Sequence, residues 1–242
     1  MNTKLSLTEI TTMRLLNEMK TGIYNAAKRL PPEKDIALDI GVSRTVIRDS
    51  LAILEREGFI NRKHGIGTII NHHVLSITNR MDLEQEFAEE VRALGYNHSA
   101  KTLYAKLIPA GARIADFLQI ESHDLVYEVP KIIYADEKPV LFCADYFAKD
   151  IILREDYSDS SFEGPIFDFL EKYCGIEVFL DISEVRAVAA NDKIAKYLDL
   201  PLATPVLNIE EIGYTFLGKP ILVSDEYYID GFFHHKIIRK KI

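Results

Sequence analysis

Residues 30–71 read LPPEKDIALDIGVSRTVIRDSLAILEREGFINRKHGIGTIIN, and the order of breakers and apolar positions in that stretch specifies a helix, a tight turn, a second helix and a two-stranded wing. Pro31 and Pro32 cannot continue a preceding helix but suit the start of the next one. That helix runs from about Glu33 to Ile40, with Ile36, Ala37 and Ile40 inward, and Gly41 stands just past its end, where glycine is favoured. Ser43 is placed to cap the following helix by accepting a backbone N–H. Ile47, Leu51 and Leu54, spaced i, i+4 and i+7, form its buried stripe. The outer face is left to Thr45, Arg48 and Asp49, with Arg44 in the first turn. Gly58 closes the helix, Phe59–Arg62 and Thr68–Ile70 read as short strands, and the turn Lys63–Gly67 is basic and contains two glycines. Upstream, Leu7 to Tyr24 carries Ile10, Met13, Leu16, Met19 and Ile23 at helical spacing and reads as a first helix. A helix fits the major groove of B-DNA, where arginine reads guanine through two parallel donors. A basic glycine turn suits a wing tip in a minor groove or along phosphates. By pattern alone, an ordinary helical bundle with a hairpin is the competing reading.

The net charge of the 242-residue chain is −8, but it is unevenly distributed. Residues 1–78 hold 11 Lys/Arg against 8 Asp/Glu, a net +3, and residues 79–242 hold 18 against 29, a net −11. A small basic head on an acidic body places any phosphate contact in the head. No long uncharged apolar run provides a membrane span, and the N-terminal stretch MNTKLSLTEITTM lacks a signal-peptide core. The cytoplasm is the expected location. Cys143 and Cys174 are too few for a disulfide framework and are expected as reduced, partly buried thiols.

The head motifs resemble the winged-helix domain of GntR-family bacterial repressors. The family's L-P-S-E-R-E-L-A stands here as Leu30-Pro31-Pro32-Glu33-Lys34-Asp35-Ile36-Ala37, and its G-V-S-R-x-T-V-R as Gly41-Val42-Ser43-Arg44-Thr45-Val46-Ile47-Arg48. Its L-x-x-E-G-x-I becomes Leu54 to Ile60, and its G-x-G-T becomes Gly65-Ile66-Gly67-Thr68. The resemblance spans some 40 residues without a gap. It implies DNA contacts from Glu33, Lys34, Ser43, Arg44, Thr45 and Arg48, and from the wing residues Lys63, Gly65, Gly67 and Thr68. Pro32, Lys34 and Val46 depart from the family pattern and remove two hydroxyls and a planar guanidinium, which implies an operator unlike that of the commonest relatives.

After a polar stretch, residues 71–80, read as a linker, the body contains an internal duplication. Ile114–Ile120 matches Ile194–Leu200, Val126–Tyr134 matches Val206–Tyr214, and Lys138–Phe147 matches Lys219–Tyr228. Each copy reads helix, strand, turn, strand, and two such hairpins pair into one antiparallel sheet with approximate two-fold symmetry. A further helix, Pro165–Tyr173, has Ile166, Phe169, Leu170 and Tyr173 on one face and ends at Gly175. This layout resembles the UTRA effector-binding domain of the HutC branch of the GntR family, which shares its fold with chorismate lyase. The expected class is therefore α+β: a winged helix-turn-helix domain over 1–70, a linker over 71–80, and an effector-binding and dimerisation domain over 81–242. The resemblance implies a homodimer on a palindromic double-stranded operator and an unidentified small-molecule effector, with no cofactor or metal and no membrane partner.

Paired hairpins leave a cleft at their pseudo-axis, where polar strand residues fix a ligand. The positions at which relatives hold a phosphate or polar group fall on Lys131, Ile133 and Cys143, and the second-repeat counterpart of Lys131 is Glu211. Asp145, Ser224, Glu226 and Tyr228 are further candidates on the second strands. With only Lys131 cationic, the pocket is expected to be less cationic and more apolar than a sugar-phosphate site, with Lys131 as the anion-binding group. Two alternatives stand beside this reading: a DNA-binding dimer whose body only dimerises, and a lyase-like enzyme. Fold alone does not carry the second. No nucleophile elbow, phosphate loop or metal-spaced Cys/His cluster is present, and His72-His73 and His234-His235 are adjacent pairs of the kind that point apart on a strand. Arg239-Lys240-Lys241 reads as a solvated tail.

Overall fold

The computed structural model describes residues 6–83 and 86–240. It divides into two compact units, Met1–Leu83 with His235–Ile242, and Glu84–His234. In the first unit, α1 (Leu7–Lys20), α2 (Glu33–Ile40) and α3 (Arg44–Arg56) precede a wing of β1 (Ile60–Lys63) and β2 (Gly67–Ile70). Gly41 terminates α2 in the left-handed region at φ +81°, and the Ser43 hydroxyl accepts the Val46 N–H at 3.3 Å, capping α3. Ile47, Leu51 and Leu54 are buried as the spacing requires. They meet Leu15 and Met19 of α1, Ile36 of α2, and Ile60 and Ile70 of the wing in one apolar cluster.

The first helix differs from its sequence reading. It stops at Lys20 rather than Tyr24, and its buried stripe is Thr11, Leu15 and Met19. Ile10, Met13 and Ile23 are exposed. Both stripes have helical spacing. Thr11 tolerates burial because its hydroxyl donates to the Leu7 carbonyl at 2.7 Å, so the buried stripe includes a polar residue that an apolar pattern overlooks. The wing also gains a third short chain, held by Leu30 N–H to Thr68 O at 3.0 Å and Ile70 N–H to Lys28 O at 3.1 Å.

The stretch 71–80 is folded, which corrects its reading as a linker. It opens with α4 (His72–Leu75), so His72 and His73 lie on a helix, not a strand. Val74 is buried with the head core, and His72 Nε2 meets the Ala27 carbonyl at 2.8 Å. Asn71 donates to Gly58 O at 2.7 Å. Arg80 is 4% exposed. It lies over the Phe59 ring at 5.1 Å, donates to Glu57 O at 2.9 Å and pairs with Asp82, holding that carboxyl below its usual range by hydrogen bonding. The C-terminal segment also belongs to this unit. Lys236 exchanges backbone bonds with Asn79 and Met81, and Lys240 donates to the carbonyls of Glu55 and Arg56. It is therefore anchored at the carbonyl end of α3, where cations are favoured, and is not a solvated tail as far as Lys240; Lys241 lies outside the described residues.

The second unit is built on a seven-stranded antiparallel sheet: β3 (His98–Thr102), β5 (Leu125–Ala135), β6 (Lys138–Ala148), β9 (Pro220–Ile229), β8 (Pro205–Tyr214) and β7 (Leu180–Ala189) in that order, with β4 (Lys106–Pro109) also on β5. α5 (Phe87–Ala93) precedes β3, α6 (Gly111–Leu118) precedes β5, and α8 (Asp192–Tyr197) precedes β8. The duplication extends to backbone detail. Gln119 and Asp199, equivalent residues after α6 and α8, are both left-handed at φ 56° and 52°, and the register slips at Ile133/Tyr134 in one hairpin and at Gly213/Tyr214 in the other. The two copies meet along β6 and β9, where Cys143 pairs with Glu226, Ala144 with Asp225 and Asp145 with Ser224. Because Cys143 is the repeat equivalent of Ser224 and Asp145 of Glu226, the pseudo-two-fold axis passes through the Ala144–Asp225 pair. The helix read at Pro165–Tyr173 is α7 (Ile166–Phe169) widened into a π-helical turn over Leu170–Cys174. Its Phe169 and Tyr173 pack with Phe162, Tyr127 and Phe147 in an aromatic cluster.

If 71–80 is structural, Arg80→Ala should lower the unfolding free energy by about 2–4 kcal/mol, since it leaves Asp82 and the Glu57 carbonyl without a buried partner. Urea denaturation checks this against the exposed His73→Ala control. A loss no greater than that of the control would return the segment to the status of a loose connection.

Candidate DNA-binding face and effector cavity

Two candidate sites occupy separate units. On the head, Arg44, Thr45 and Arg48 are exposed on α3, Lys34 is exposed on α2, and Lys63, Gly65 and Gly67 are exposed at the wing. Glu33 and Thr68 are half-buried. Among the other head arginines, Arg56 pairs with Glu57 at 2.9 Å, Arg62 with Glu55 at 2.8 Å and Arg80 with Asp82, Arg14 donates to the Ile40 carbonyl at 3.4 Å, and Arg29 is exposed. Among the described residues, no side-chain hydrogen bond or ion pair holds Lys34, Arg44, Thr45, Arg48 or Lys63. Arg56, Arg62 and Arg80 thus bind the protein's own acceptors, whereas the basic residues of α2, α3 and the wing are left to solvent, as are Lys20, Lys28 and Arg29 at and after the end of α1. At the wing, Ile66 N–H closes a turn on Lys63 O at 3.0 Å. Gly65 (φ +78°) and Gly67 (φ +98°) need the left-handed region, and a Cβ on either would meet open space. Their requirement is therefore conformational rather than a matter of internal packing. Glu33, in the first turn of α2, suits the positive end of that helix, a structural role available to it without DNA.

In the second unit a cavity of about 250 Å³ lies between the sheet, α5 and residues 163–167. Seven of the eight residues singled out from the sequence line it: Lys131 and Ile133 on β5, Cys143 and Asp145 on β6, Glu211 on β8, and Ser224 and Glu226 on β9. Tyr228 does not, which corrects its place in the set. Its hydroxyl donates to Glu226 Oε2 at 2.6 Å and its ring meets Phe233 edge-on at 5.1 Å, so it supports a lining carboxylate from behind. The remaining lining comes from segments outside the repeat: Glu86, Phe87, Ala88 and Arg92 of the α5 segment, His98 and Ala100 on β3, Glu163 to Phe167, and Asp181 on β7. No repeat or motif in the sequence marks these residues.

The lining agrees with its sequence reading in being poor in cations, and it adds an excess of acidic groups. Six carboxylates (Glu86, Asp145, Glu163, Asp181, Glu211 and Glu226) face two permanent cations, Arg92 and Lys131. The cavity is less cationic than a phosphate site and its exposed lining is mostly apolar, both as expected, and carboxylates outnumber cations among its charged groups. Lys131 is also committed. It is 5% exposed, its Nζ donates to the Gly164 carbonyl at 2.5 Å, and its charge opposes the effect of burial on Asp145. Asp145 accepts the Ser224 hydroxyl at 2.8 Å, yet burial still holds its carboxyl above the usual range. Burial raises Glu211 as well, against a hydrogen bond from Ser183, with Asp181 and Asp145 adding to the rise; Asp181 and Glu86 are raised chiefly by burial. Burial, then Asp145 and Glu226, push the Cys143 thiol well up, and it is an inert lining group rather than a nucleophile. Both cysteines are free and buried. Among the described residues, no group of His, Cys, Asp and Glu is arranged to hold a metal ion.

Lys131→Met should lower stability by about 2–4 kcal/mol at neutral pH, because Asp145 loses the cation that offsets its burial. With its folded pKa raised further, Asp145 binds a proton on folding, so the variant loses stability as pH rises from the ordinary carboxylate range. Urea unfolding at acid and neutral pH checks the sign. A deficit that shrinks with rising pH would contradict the assignment.

Comparison with known proteins follows the same division. The model for bacterial regulatory proteins of the gntR family matches residues 8–70, and the UTRA domain model matches residues 93–231, more than half of the chain. An uncharacterized HTH-type transcriptional regulator of Bacillus subtilis, YurK, is 24% identical over 87% of this chain and 86% of its own length. The transcriptional repressor NagR of the same organism is 23% identical over 88% of this chain and 90% of its own length. Among solved structures, the possible transcriptional regulator YydK of Bacillus subtilis superposes with a TM-score of 0.75 at 19% identity, covering 96% of this chain and 99% of that one. Neither matched family is an enzyme family, and the lyase-like alternative is set aside. With both models placed and their order matching the two units of the fold, the chain belongs to the GntR family of bacterial transcriptional regulators, as a member that joins a gntR-type DNA-binding domain to a UTRA domain.

Proposed function

We propose that the chain is a ligand-responsive repressor that binds a palindromic operator as a homodimer in the cytoplasm. The observation that carries the DNA half is the set of exposed cations on α2, α3 and the wing: Lys34, Arg44, Arg48 and Lys63 have no internal partner among the described residues, whereas Arg56, Arg62 and Arg80, elsewhere on the head, do. Leaving four cations unpaired on one helical motif and its wing has no benefit for folding, and phosphates and guanine edges are the complementary surface. Arg44, Thr45 and Arg48 read bases from α3, and Lys34, Lys63 and the wing backbone at Gly65, Gly67 and Thr68 hold phosphates or the adjacent minor groove. Ser43 caps α3 with its oxygen and retains its hydroxyl hydrogen for a phosphate. Two copies place two recognition helices one helical turn apart, which makes the operator a palindrome. Repression is the sign favoured by the names of relatives such as NagR, since a bound dimer blocks a promoter without further contacts.

The cavity of the second unit is the effector site. Six carboxylates against two cations, one of them already engaged by Gly164, oppose a phosphorylated ligand and favour one with an ammonium or a dense set of hydrogen-bond donors. The apolar walls at Ile133, Ile166 and Phe167 cover its remainder. Glu211 and Asp181, with Asp145 beneath them, are the recognition groups, and Lys131 is a structural cation. The effector acts by its differential affinity for the two arrangements of the dimer's heads.

The DNA claim is tested on a duplex recovered by selection from random sequence with the whole protein. Arg44→Ala and Arg48→Ala should each weaken binding about tenfold or more and relax preference at one base position. Lys34→Ala and Lys63→Ala should weaken all sequences evenly and reduce the slope of log affinity against log salt by about one each. Arg56→Ala should leave binding within twofold. Wild-type affinity in both arginine variants of α3 would overturn the assignment.

A further inference from the structure

A helix leaves its last four carbonyls without a partner inside it. At the end of α3 the following turn takes the first of these. Glu57 N–H bonds Ile53 O at 2.9 Å, Phe59 N–H bonds Leu54 O at 2.9 Å, and Gly58 N–H bonds Glu55 O at 3.0 Å. The next three carbonyls are met by side chains from outside the helix. Arg56 O accepts Lys240 Nζ, which also reaches Glu55 O at 2.8 Å. Glu57 O accepts Arg80 at 2.9 Å, and Gly58 O accepts Asn71 at 2.7 Å. Three donors, two of them cations, thus close the negative end of α3. Gly58 stands in the left-handed region at φ +83°, and a Cβ on it would lie 3.5 Å from Lys240 Cε, so the C-terminal segment runs directly over the turn.

The segment that carries Lys240 is fixed along its length. His235 Nδ1 meets Asn79 at 2.9 Å, Lys236 exchanges backbone bonds with Asn79 and Met81, and Ile238 packs against the head core. Its target on α3 is a junction. The carbonyl of Glu55 accepts Lys240, while its carboxylate accepts the backbone N–H and the Nε of Arg62 on β1, both at 2.8 Å. Against the effect of burial, the hydrogen bonds and charge of Arg62 and then the charge of Lys240 hold that carboxyl below its usual range. One residue of α3 therefore ties the helix to the wing on one side and to the C-terminal segment on the other.

We propose that Lys240 is a positioning residue for DNA recognition, which sets α3 against the wing without touching DNA itself. This inference rests on the reading of α3 as the recognition helix above. The apolar stripe Ile47, Leu51 and Leu54 holds α3 to the core but fixes its place along its own axis only loosely, because apolar contacts are non-directional. Charge-assisted hydrogen bonds at one end are directional and stronger, and a recognition surface needs its side chains held to within a fraction of an ångström. Lys240 acts at Arg56, eight residues and roughly 12 Å along the helix from Arg48, so its place is apart from that of the base-reading residues. The same arrangement offers a route for the effector. The C-terminal segment continues from β9, whose Ser224 and Glu226 line the cavity, and the segment bearing Asn71 and Arg80 leads in sequence to α5, whose Phe87 and Arg92 line it. Each stretch of chain that closes the end of α3 is thus continuous with an element of the cavity wall.

Binding is measured with the full chain, well below its unfolding temperature, on the duplex recovered by selection and on an unrelated duplex of equal length. Lys240→Met keeps a stem over Gly58 and removes the charge. It should weaken binding to the selected duplex about fivefold or more, leave the unrelated duplex within about twofold, and leave the slope of log affinity against log salt unchanged. Lys240→Arg, which keeps the charge and the donors, should stay within about twofold of wild type on both. A slope reduced by about one would make Lys240 a phosphate contact. Wild-type affinity in Lys240→Met, with only a lower urea midpoint, would make it a stabilising contact and no more. Either result overturns the proposal. Arg48→Ala on the same duplex separates it from the reading of α3. If that variant loses binding while Lys240→Met does not, the role of Lys240 falls alone; if neither loses binding, both fall.

Discussion

The pairing of β6 with β9 is the constraint on which the second unit depends. It joins two copies of one helix-hairpin unit across the Ala144–Asp225 pair, and each face of that seam does different work. On one face Asp225 and Glu210 share Arg113 of α6 at 2.5 to 3.0 Å, a half-exposed ion cluster that fixes a helix to the sheet. On the other face the equivalent positions of the two copies, Cys143 with Ser224 and Asp145 with Glu226, come together around the cavity. Duplication alone would have produced a site with matched halves. Divergence within it has produced Lys131 on one side and Glu211 on the other, and three further carboxylates, Glu86, Glu163 and Asp181, reach the cavity from segments outside the repeat.

How much of this was legible in the sequence depends on whether the signal was local. The head was legible because its capping serine, its terminating glycines and its Ile47-Leu51-Leu54 stripe act within a few residues of one another. The cavity was legible as far as the hairpins reached: the resemblance to relatives pointed to Lys131, Ile133 and Cys143, the repeat led from Lys131 to Glu211, and Asp145, Ser224 and Glu226 followed from their places on the second strands. Asp181, Arg92, His98 and the Glu163–Phe167 segment could not, because they arrive from parts of the chain that have no second copy. β7 was missed for a related reason. Its charges alternate irregularly and it is exposed on both faces, so it shows no hydrophobic periodicity until β8 is in place to pair with it.

The errors have physical causes of the same kind. Residues 71–80 are polar and lack a pattern, yet Arg80 is buried because Phe59, Glu57 and Asp82 together satisfy its guanidinium. Composition cannot show a buried arginine one of whose partners lies 23 residues away in the chain. The basic C-terminal segment likewise found a use at the carbonyl end of α3 through Lys240. With that segment in the first unit and β9 in the second, the chain passes between the units twice, so the DNA-binding unit is connected to both ends of the effector domain.

The central claim is that an acidic cavity in the second unit controls the DNA affinity of the first. The most direct test measures the affinity of the full chain for its selected duplex in the presence of small molecules matched in size but differing in charge: amines, neutral polyols and phosphorylated analogues. The account predicts that effective ligands are found among the amine-bearing molecules, that they change DNA affinity by roughly five- to 150-fold, and that Asp181→Asn with Glu211→Gln removes the effect while leaving DNA affinity without ligand unchanged. A phosphorylated molecule that shifts DNA affinity in both the wild type and that double variant, with amines inert, would contradict it.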